Sequence, residues 1–185
     1  MKRQIGFSLT ELMVVLAIVA ILLALGVPSY RYITNSYRMS AEVNSLLGDL
    51  QFARAEAIKE GQFVTACVSF DGQNCAAPGT ATWQRGWIVY SNPNNNNFPA
   101  ANSVLRVQAA FGGAVPDTFI ANPAVNAVTF NREGFATAAG FAATTITLHE
   151  STANAAWTRC LWITPVGLMT TETPAAGNNP SGTCA

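Results

Sequence analysis

Charge is scarce in this chain: 11% of its 185 residues are Asp, Glu, Lys or Arg, and ten acids balance ten bases. There is one histidine, His149, and there is no CxxC pair, no Gly-rich phosphate loop and no Ser-His-Asp or Cys-His spacing. Those absences remove the residue sets from which hydrolytic, phosphoryl-transfer and zinc sites are built. The carboxylates are scattered, so no enzyme activity, metal or cofactor is expected. Residues 62–185 hold Arg85, Arg106, Arg132 and Arg159 against Asp71, Asp117, Glu133, Glu150 and Glu172, four bases against five acids, net −1. A near-neutral chain with dispersed arginines has no electrostatic footprint for nucleic acid or anionic lipid.

Half of the residues are hydrophobic, and one run concentrates them. From Leu12 to Val27 sixteen residues pass without a polar side chain, and counted from Phe7 the stretch is twenty-one residues. As a helix it measures about 31 Å, enough to span a bilayer. Glu11 sits at its mouth. A carboxylate in a lipid-facing segment is costly, and its default reading is functional, with a partner expected. No cation after Phe7 lies near enough, whereas an α-amino group freed at Phe7, on this chain or a neighbour, supplies one. A secretory signal, a plain membrane anchor and a buried core helix compete for this segment. Lys2 and Arg3 form a basic n-region, and Ala24-Leu25-Gly26 is a passable cleavage site. Glu11 serves no purpose in a discarded segment, however, and the helical pattern runs on past Pro28.

Beyond Pro28 the helix turns amphipathic. Val43, Leu46, Leu47, Leu50, Ala53 and Ala57 recur at spacings of three and four, marking one apolar face, with Asp49, Arg54, Glu56 and Lys59 largely off it. Gly61 is the expected stop. Pro28 lacks an N–H, so a bend or local unwinding is expected around Gly26-Val27-Pro28, either as a static kink or as a hinge. After Gly61 the period changes. Phe63–Phe70, Trp87–Tyr90, Val104–Ala109, Ala127–Phe130, Thr144–His149 and Cys160–Ile163 read as short strands separated by Gly, Pro and Asn clusters, and Asn94 to Asn97 reads as a polar turn. No repeat recurs at a fixed period. The expectation is α+β: a long helix whose C-terminal half packs on a mostly antiparallel sheet.

Four cysteines, all beyond the apolar run, suit an oxidising compartment such as the periplasm. They permit three pairings. Cys67–Cys75 with Cys160–Cys184 is the economical one, since each pair closes a local loop. The second loop contributes about 3 kcal/mol on the chain-entropy account and ties down Thr170–Ser181. Trp83, Trp87, Trp157 and Trp162 could form a carbohydrate platform, but in alternating strands they read better as packing.

The run KRQIG followed by FSLTELMVVLAIVAILLALGVP closely resembles the class III leader and N-terminal helix of type IV pilins and pseudopilins. The resemblance implies a pilin-like fold, a leader over 1–6, cleavage between Gly6 and Phe7 by a prepilin peptidase, and N-methylation of Phe7. Glu11 then falls fifth in the mature chain, at the family's glutamate, which pairs with a subunit's N-terminal amine during assembly. Pro28 also falls at a family position and favours a hinge with Gly26. The implied organisation is a membrane and filament-core half-helix over 7–28, an amphipathic half over 29–61 and a β-rich domain over 62–185. Implied partners are other minor and major pilins, the peptidase and an inner-membrane assembly platform. The implied location is the inner membrane, domain outward in the periplasm, and then the filament.

Leu50-Gln51-Phe52-Ala53-Arg54-Ala55-Glu56-Ala57-Ile58-Lys59 resembles the helix-end motif of the GspH/FimT-type minor pilins and pseudopilins. Gly86-Trp87-Ile88-Val89-Tyr90 and Val128-Thr129-Phe130-Asn131-Arg132-Glu133-Gly134 resemble that group's strand motifs in the same order. This implies a minor subunit that primes assembly or sits at the tip, of a pilus or of a type II secretion pseudopilus. One branch binds DNA during uptake through a glycine followed by two arginines around one residue. The matching stretch here is Pro165-Val166-Gly167-Leu168-Met169-Thr170. Gly167 is kept, while Leu168 and Thr170 stand at the arginine positions, which removes the cationic donors that phosphates need. DNA is therefore a disfavoured partner, reachable only if Arg85, Arg106, Arg132 and Arg159 converge.

Overall fold

The computed structural model describes residues 8–95, 99–100, 103–112, 117–137, 143–175 and 177–184. The chain divides into two compact units, Met1–Arg38 and Met39–Ala185. One helix, α1 (Leu9–Glu60), contributes to both. Ser8 opens it: the Leu12 N–H donates to the Ser8 carbonyl at 3.2 Å and the Glu11 N–H to its hydroxyl at 3.2 Å. That satisfies donors which helix geometry leaves without partners. Gly61 closes the helix at φ +68°, with the Gln62 N–H reaching back to the Ala57 carbonyl at 3.3 Å, a Schellman ending. Gly26, Val27 and Pro28 lie within the helix, so the local unwinding expected there is not found. A proline removes one amide donor, and the turns on either side keep theirs.

In the second unit α1 presents Met39, Val43, Leu46, Leu50, Ala53 and Ala57, each at most 2% exposed. Leu47, expected on that face, lies partly buried at its margin. The strands are β1 (Val64–Val68), β2 (Gly86–Ser91), β3 (Val104–Ala109), β4 (Thr118–Asn122), β5 (Ala127–Phe130), β6 (Thr144–His149), β7 (Arg159–Ile163) and β8 (Met169–Glu172). They form two four-stranded antiparallel sheets, ordered β3-β2-β1-β5 and β4-β6-β7-β8. One sheet was expected, without Thr118–Asn122 or Met169–Glu172. The first of those strands has an apolar run of only three residues, Phe119-Ile120-Ala121, between polar ends, and the second is an edge with three polar residues, so neither stands out as a strand.

Alternate residues of the central strands face α1, the period of two that a strand imposes. Val64, Ala66 and Val68 of β1, Trp87 and Val89 of β2, and Val128 and Phe130 of β5 share one core with the helix. Phe119, Ala121, Ile146, Leu148, Leu161 and Ile163 bring the second sheet into the same core. Shifting any strand by one residue would turn its set outward.

Each disulfide closes an outer face. Cys67, Ile88 and Tyr90 form a second buried cluster on the far side of the first sheet, and Cys67–Cys75, Cα–Cα 5.6 Å, ties the next loop to it. Cys160 neighbours the inward Leu161 and so faces out from the second sheet. It joins Cys184 at 5.7 Å, and Glu172, 2% exposed, accepts the Ser181 N–H and hydroxyl at 3.1 and 2.5 Å. The C-terminal segment is thereby fastened at two points.

Candidate functional site

Gly6 and Phe7, the expected cleavage and methylation positions, lie outside the described residues. Ser8, which sequence reasoning did not single out, is the helix N-cap, and Glu11 follows it in the first turn. There the positive end of the helix dipole favours a carboxylate, so Glu11 has a local reason to sit where it does as well as an intermolecular one. On both sides of it the apolar side chains are bare, from Leu9 at 75% exposed to Leu25 at 71%. A continuous apolar surface of that length calls for lipid or other helices as cover.

In the second unit three of the four motif stretches, residues 50–59, 128–134 and 165–170, meet at Arg54. The turn after β5 is closed by Asn131, whose side-chain oxygen accepts the Glu133 and Phe135 N–H groups at 3.1 and 2.9 Å. Its carbonyl accepts the Gly134 N–H at 2.9 Å, and Gly134 takes φ +82°. The β7–β8 turn is closed by Thr164: its carbonyl accepts from Gly167 at 2.9 Å, and its hydroxyl accepts the Leu168 N–H at 3.1 Å. Gly167 has φ +77°, and the Pro165 carbonyl takes the Ala136 N–H at 2.9 Å, joining the two turns. Between them and α1, the Arg54 Nε–H donates to the Gly134 carbonyl at 2.9 Å.

Glycine is required at both turns. A Cβ at residue 167 would stand 2.2 Å from the Gly134 carbonyl oxygen and 3.0 Å from Arg54 Nε. A Cβ at residue 134 would stand 2.9 Å from the end of Ile58 and 3.0 Å from the same nitrogen. Sequence reasoning had both glycines within motifs but not their common neighbour. The available signal was two turn glycines and one helical arginine, each inside a group motif.

The Gly86-Trp87 stretch makes the other link between α1 and a sheet. Asp49 accepts the Trp87 indole N–H at 2.9 Å and an Nη1 hydrogen of Arg106 at 2.9 Å. The Arg106 guanidinium also lies over Phe52, 3.8 Å from the ring centre, a cation–π contact. Gly86, φ +105°, lets β2 approach β3 where a Cβ would sit 2.6 Å from the Gln108 carbonyl oxygen.

The four arginines proposed for phosphate have separate employment. Arg85 lies 3.8 Å over Phe70, and Arg106 is engaged as above. Arg132 pairs with Glu133 at 3.1 Å. Arg159 donates to Ser40 Oγ and to the Ala156 and Thr158 carbonyls. Two sit on different sheets, one in the turn before β2 and one in the turn after β5. Trp83 and Trp87 lie in the core, and Trp157 packs against it, which is packing rather than a platform.

Four ionisable groups are perturbed among the described residues: the hydrogen bond between Glu56 and Lys59 lowers the pKa of the first and raises that of the second, and Asp71 and Tyr90 are shifted as well. Asp71, in the loop closed by Cys67–Cys75, accepts from the Asn74 side chain and from the Asn74 and Gln73 N–H groups, each at 2.8 Å. These donors hold its carboxyl well below the usual range. Burial pushes the Tyr90 hydroxyl up.

A model of the family described as type II transport protein GspH matches residues 42–167, and a model of the prokaryotic N-terminal methylation motif matches residues 1–27. No curated protein matches the chain. Among solved structures, two crystal forms of the type IV minor pilin FimU of Pseudomonas aeruginosa match, each at 18% identity. One covers 78% of this chain and 90% of that chain with a TM-score of 0.51. The other covers 75% and 90% with a TM-score of 0.49. At that identity the likeness is one of fold: a long N-terminal helix with antiparallel sheets.

Proposed function

Because the chain belongs to the GspH family of pilins and pseudopilins and carries the N-terminal methylation motif, we propose that it is a minor type IV pilin, a structural filament subunit that helps to prime assembly at or near the tip. The carrying observation is the bare apolar helix with Glu11 in its first turn. Prepilin peptidase removes residues 1–6 and methylates Phe7. The helix then holds the subunit in the inner membrane, with the sheets on the periplasmic side, until the assembly platform extracts it. Glu11 pairs with a neighbouring N-terminal amine, replacing a costly lone carboxylate in lipid by an ion pair. In the filament, major and other minor pilins cover Leu12–Val27, and Gly26 and Pro28 supply a hinge.

Mass spectrometry of sheared filaments tests this. The expected finding is a substoichiometric chain that begins with methylated Phe7, and its absence from filaments made by cells expressing it would overturn the reading. A second reading, a type II secretion pseudopilin, is favoured by the description of the family model. Loss of secreted proteins with normal surface pili after deletion would select it. No observation favours DNA binding. Leu168 and Thr170 offer no cation at the 167 turn, and Arg85, Arg106 and Arg132 each already face a ring or a carboxylate. A salt-sensitive mobility shift with duplex DNA at about micromolar protein would reverse that.

A further inference from the structure

Beside the Arg54 junction a groove of about 400 Å³ opens between α1 and the β7–β8 turn, walled by Gln51, Ala55, Ile58, Leu168 and Met169. We propose that it receives a carboxylate carried between apolar side chains on an extended segment of a neighbouring filament subunit. The inference rests on the chain being a filament subunit, and it adds where and how a neighbour is held.

The groove's chemistry is specific in two ways. Among the described residues lining it, Arg54 is the one charged side chain. Its Nε is committed to the Gly134 carbonyl, and among the described residues that is its one hydrogen bond, so the Nη hydrogens are unspent. The two carboxylates nearest in the helix and the β5 turn have other partners, Glu56 with Lys59 at 2.8 Å and Glu133 with Arg132 at 3.1 Å. The guanidinium is held by its bond to the Gly134 carbonyl and packs against both turns, close enough that a Cβ at residue 134 or 167 would stand 3.0 Å from its Nε. A pre-positioned guanidinium with a free edge is the strongest side-chain partner for a carboxylate.

The rim is apolar where a phosphate site would be basic. Ile58, Phe135, Val166 and Leu168 are 51%, 46%, 59% and 53% exposed, and they gather around the same two turns. One cation within an apolar rim matches an acidic side chain flanked by apolar ones. A nucleic-acid backbone presents repeated charge and needs repeated cations.

Titration of the isotope-labelled full chain in lipid nanodiscs, followed by nuclear magnetic resonance, tests the proposal. The probes are acetyl-Ala-Leu-Glu-Leu-Ala-amide, the same peptide with Gln for Glu, and a short DNA duplex. The Glu peptide is expected to shift the Arg54 Nε–H and the Gly167 and Leu168 amides, with the Gln peptide about tenfold weaker because a charge-assisted bond is lost. Leu168→Ser, at an exposed tip, should keep the fold and weaken the Glu peptide, while Arg54→Gln should abolish the Glu–Gln difference. Equal binding of the two peptides, no binding, or the duplex shifting these resonances at lower concentration would each overturn the proposal. Filament incorporation is measured separately, so failure here and failure of the minor-pilin reading are told apart.

Discussion

The Nε–H of Arg54 donates to the carbonyl oxygen of Gly134 at 2.9 Å, joining α1 to a turn eighty positions away. That carbonyl is also what a side chain at residue 167 would strike, at 2.2 Å. Helix, β5 turn and β7–β8 turn thus meet at one point, with the Ala136 N–H to Pro165 carbonyl bond tying the two turns to each other. Three glycines with positive φ allow the cost of crowding that point to be separated from backbone strain.

Gly61→Ala adds a methyl with nothing within 4 Å at φ +68° and should lose about 1 kcal/mol from left-handed strain alone. Gly134→Ala adds contact with the movable ends of Ile58 and Arg54, and about 2 kcal/mol is expected. Gly167→Ala meets backbone and should lose about 3 kcal/mol or more. Denaturant unfolding of the full chain in detergent, read by tryptophan fluorescence, gives the order. A Gly167→Ala variant as stable as Gly61→Ala would show that the two turns are not locked.

Asp49 serves two donors at once, the Trp87 indole and Arg106. Asp49→Ala should cost about 2 kcal/mol, because the buried indole N–H loses its acceptor. Asp49→Asn keeps one acceptor oxygen and should cost about half as much. Arg106→Ala should cost less than Asp49→Ala, since its side chain is 48% exposed and such pairs are screened by water. If Arg106→Ala proved the more damaging, the Phe52 contact rather than the ion pair would be the main tie.

The Asp71 carboxyl is held low by the Asn74 side chain and by two loop N–H groups. A depressed folded pKa gives stability that is present above the unfolded value, about 3.9, and is lost as pH falls through the folded one. Stability from this loop is therefore expected to be flat from pH 7 to about 4 and to decline only below that. The carboxyl carbon resonance of Asp71 should stay at its ionised position through pH 3. A midpoint at or above the ordinary aspartate value would refute the capped-loop account.

Legibility followed the range of the interactions. The helix face from Val43 to Ala57 could be read because its spacing is local, and Gly61 because a stop needs only its own φ. Six strands were visible where β-branched and aromatic residues clustered. β4 and β8 escaped because Thr118–Asn122 has an apolar run of only three residues and Met169–Glu172 is mostly polar. The division into two sheets depends on β1 pairing with both β2 and β5, a non-local choice that no window of sequence contains. Arg54 looked like a solvated helix charge for the same reason, since its acceptor is a backbone carbonyl that only the folded β5 turn brings near.

Glu11 has two explanations, a helix-end carboxylate beside the Ser8 cap and a partner for a neighbour's amine, and substitution separates them. Ser8→Ala removes the hydroxyl that accepts the Glu11 N–H and should loosen the helix start by about 1 kcal/mol. It leaves the carboxylate in place, so incorporation into filaments should stay within about twofold of the parent. Glu11→Gln keeps the capping N–H and the side-chain shape but deletes the charge. It should be processed and inserted normally, yet reach sheared filaments at about a tenth of the parent level or less, the loss expected when one ion pair in low dielectric goes. Quantitative immunoblots of membrane and filament fractions read both variants. Were Ser8→Ala excluded and Glu11→Gln incorporated, the capped helix start rather than the carboxylate would govern entry, and assembly would have to find its charge pair elsewhere.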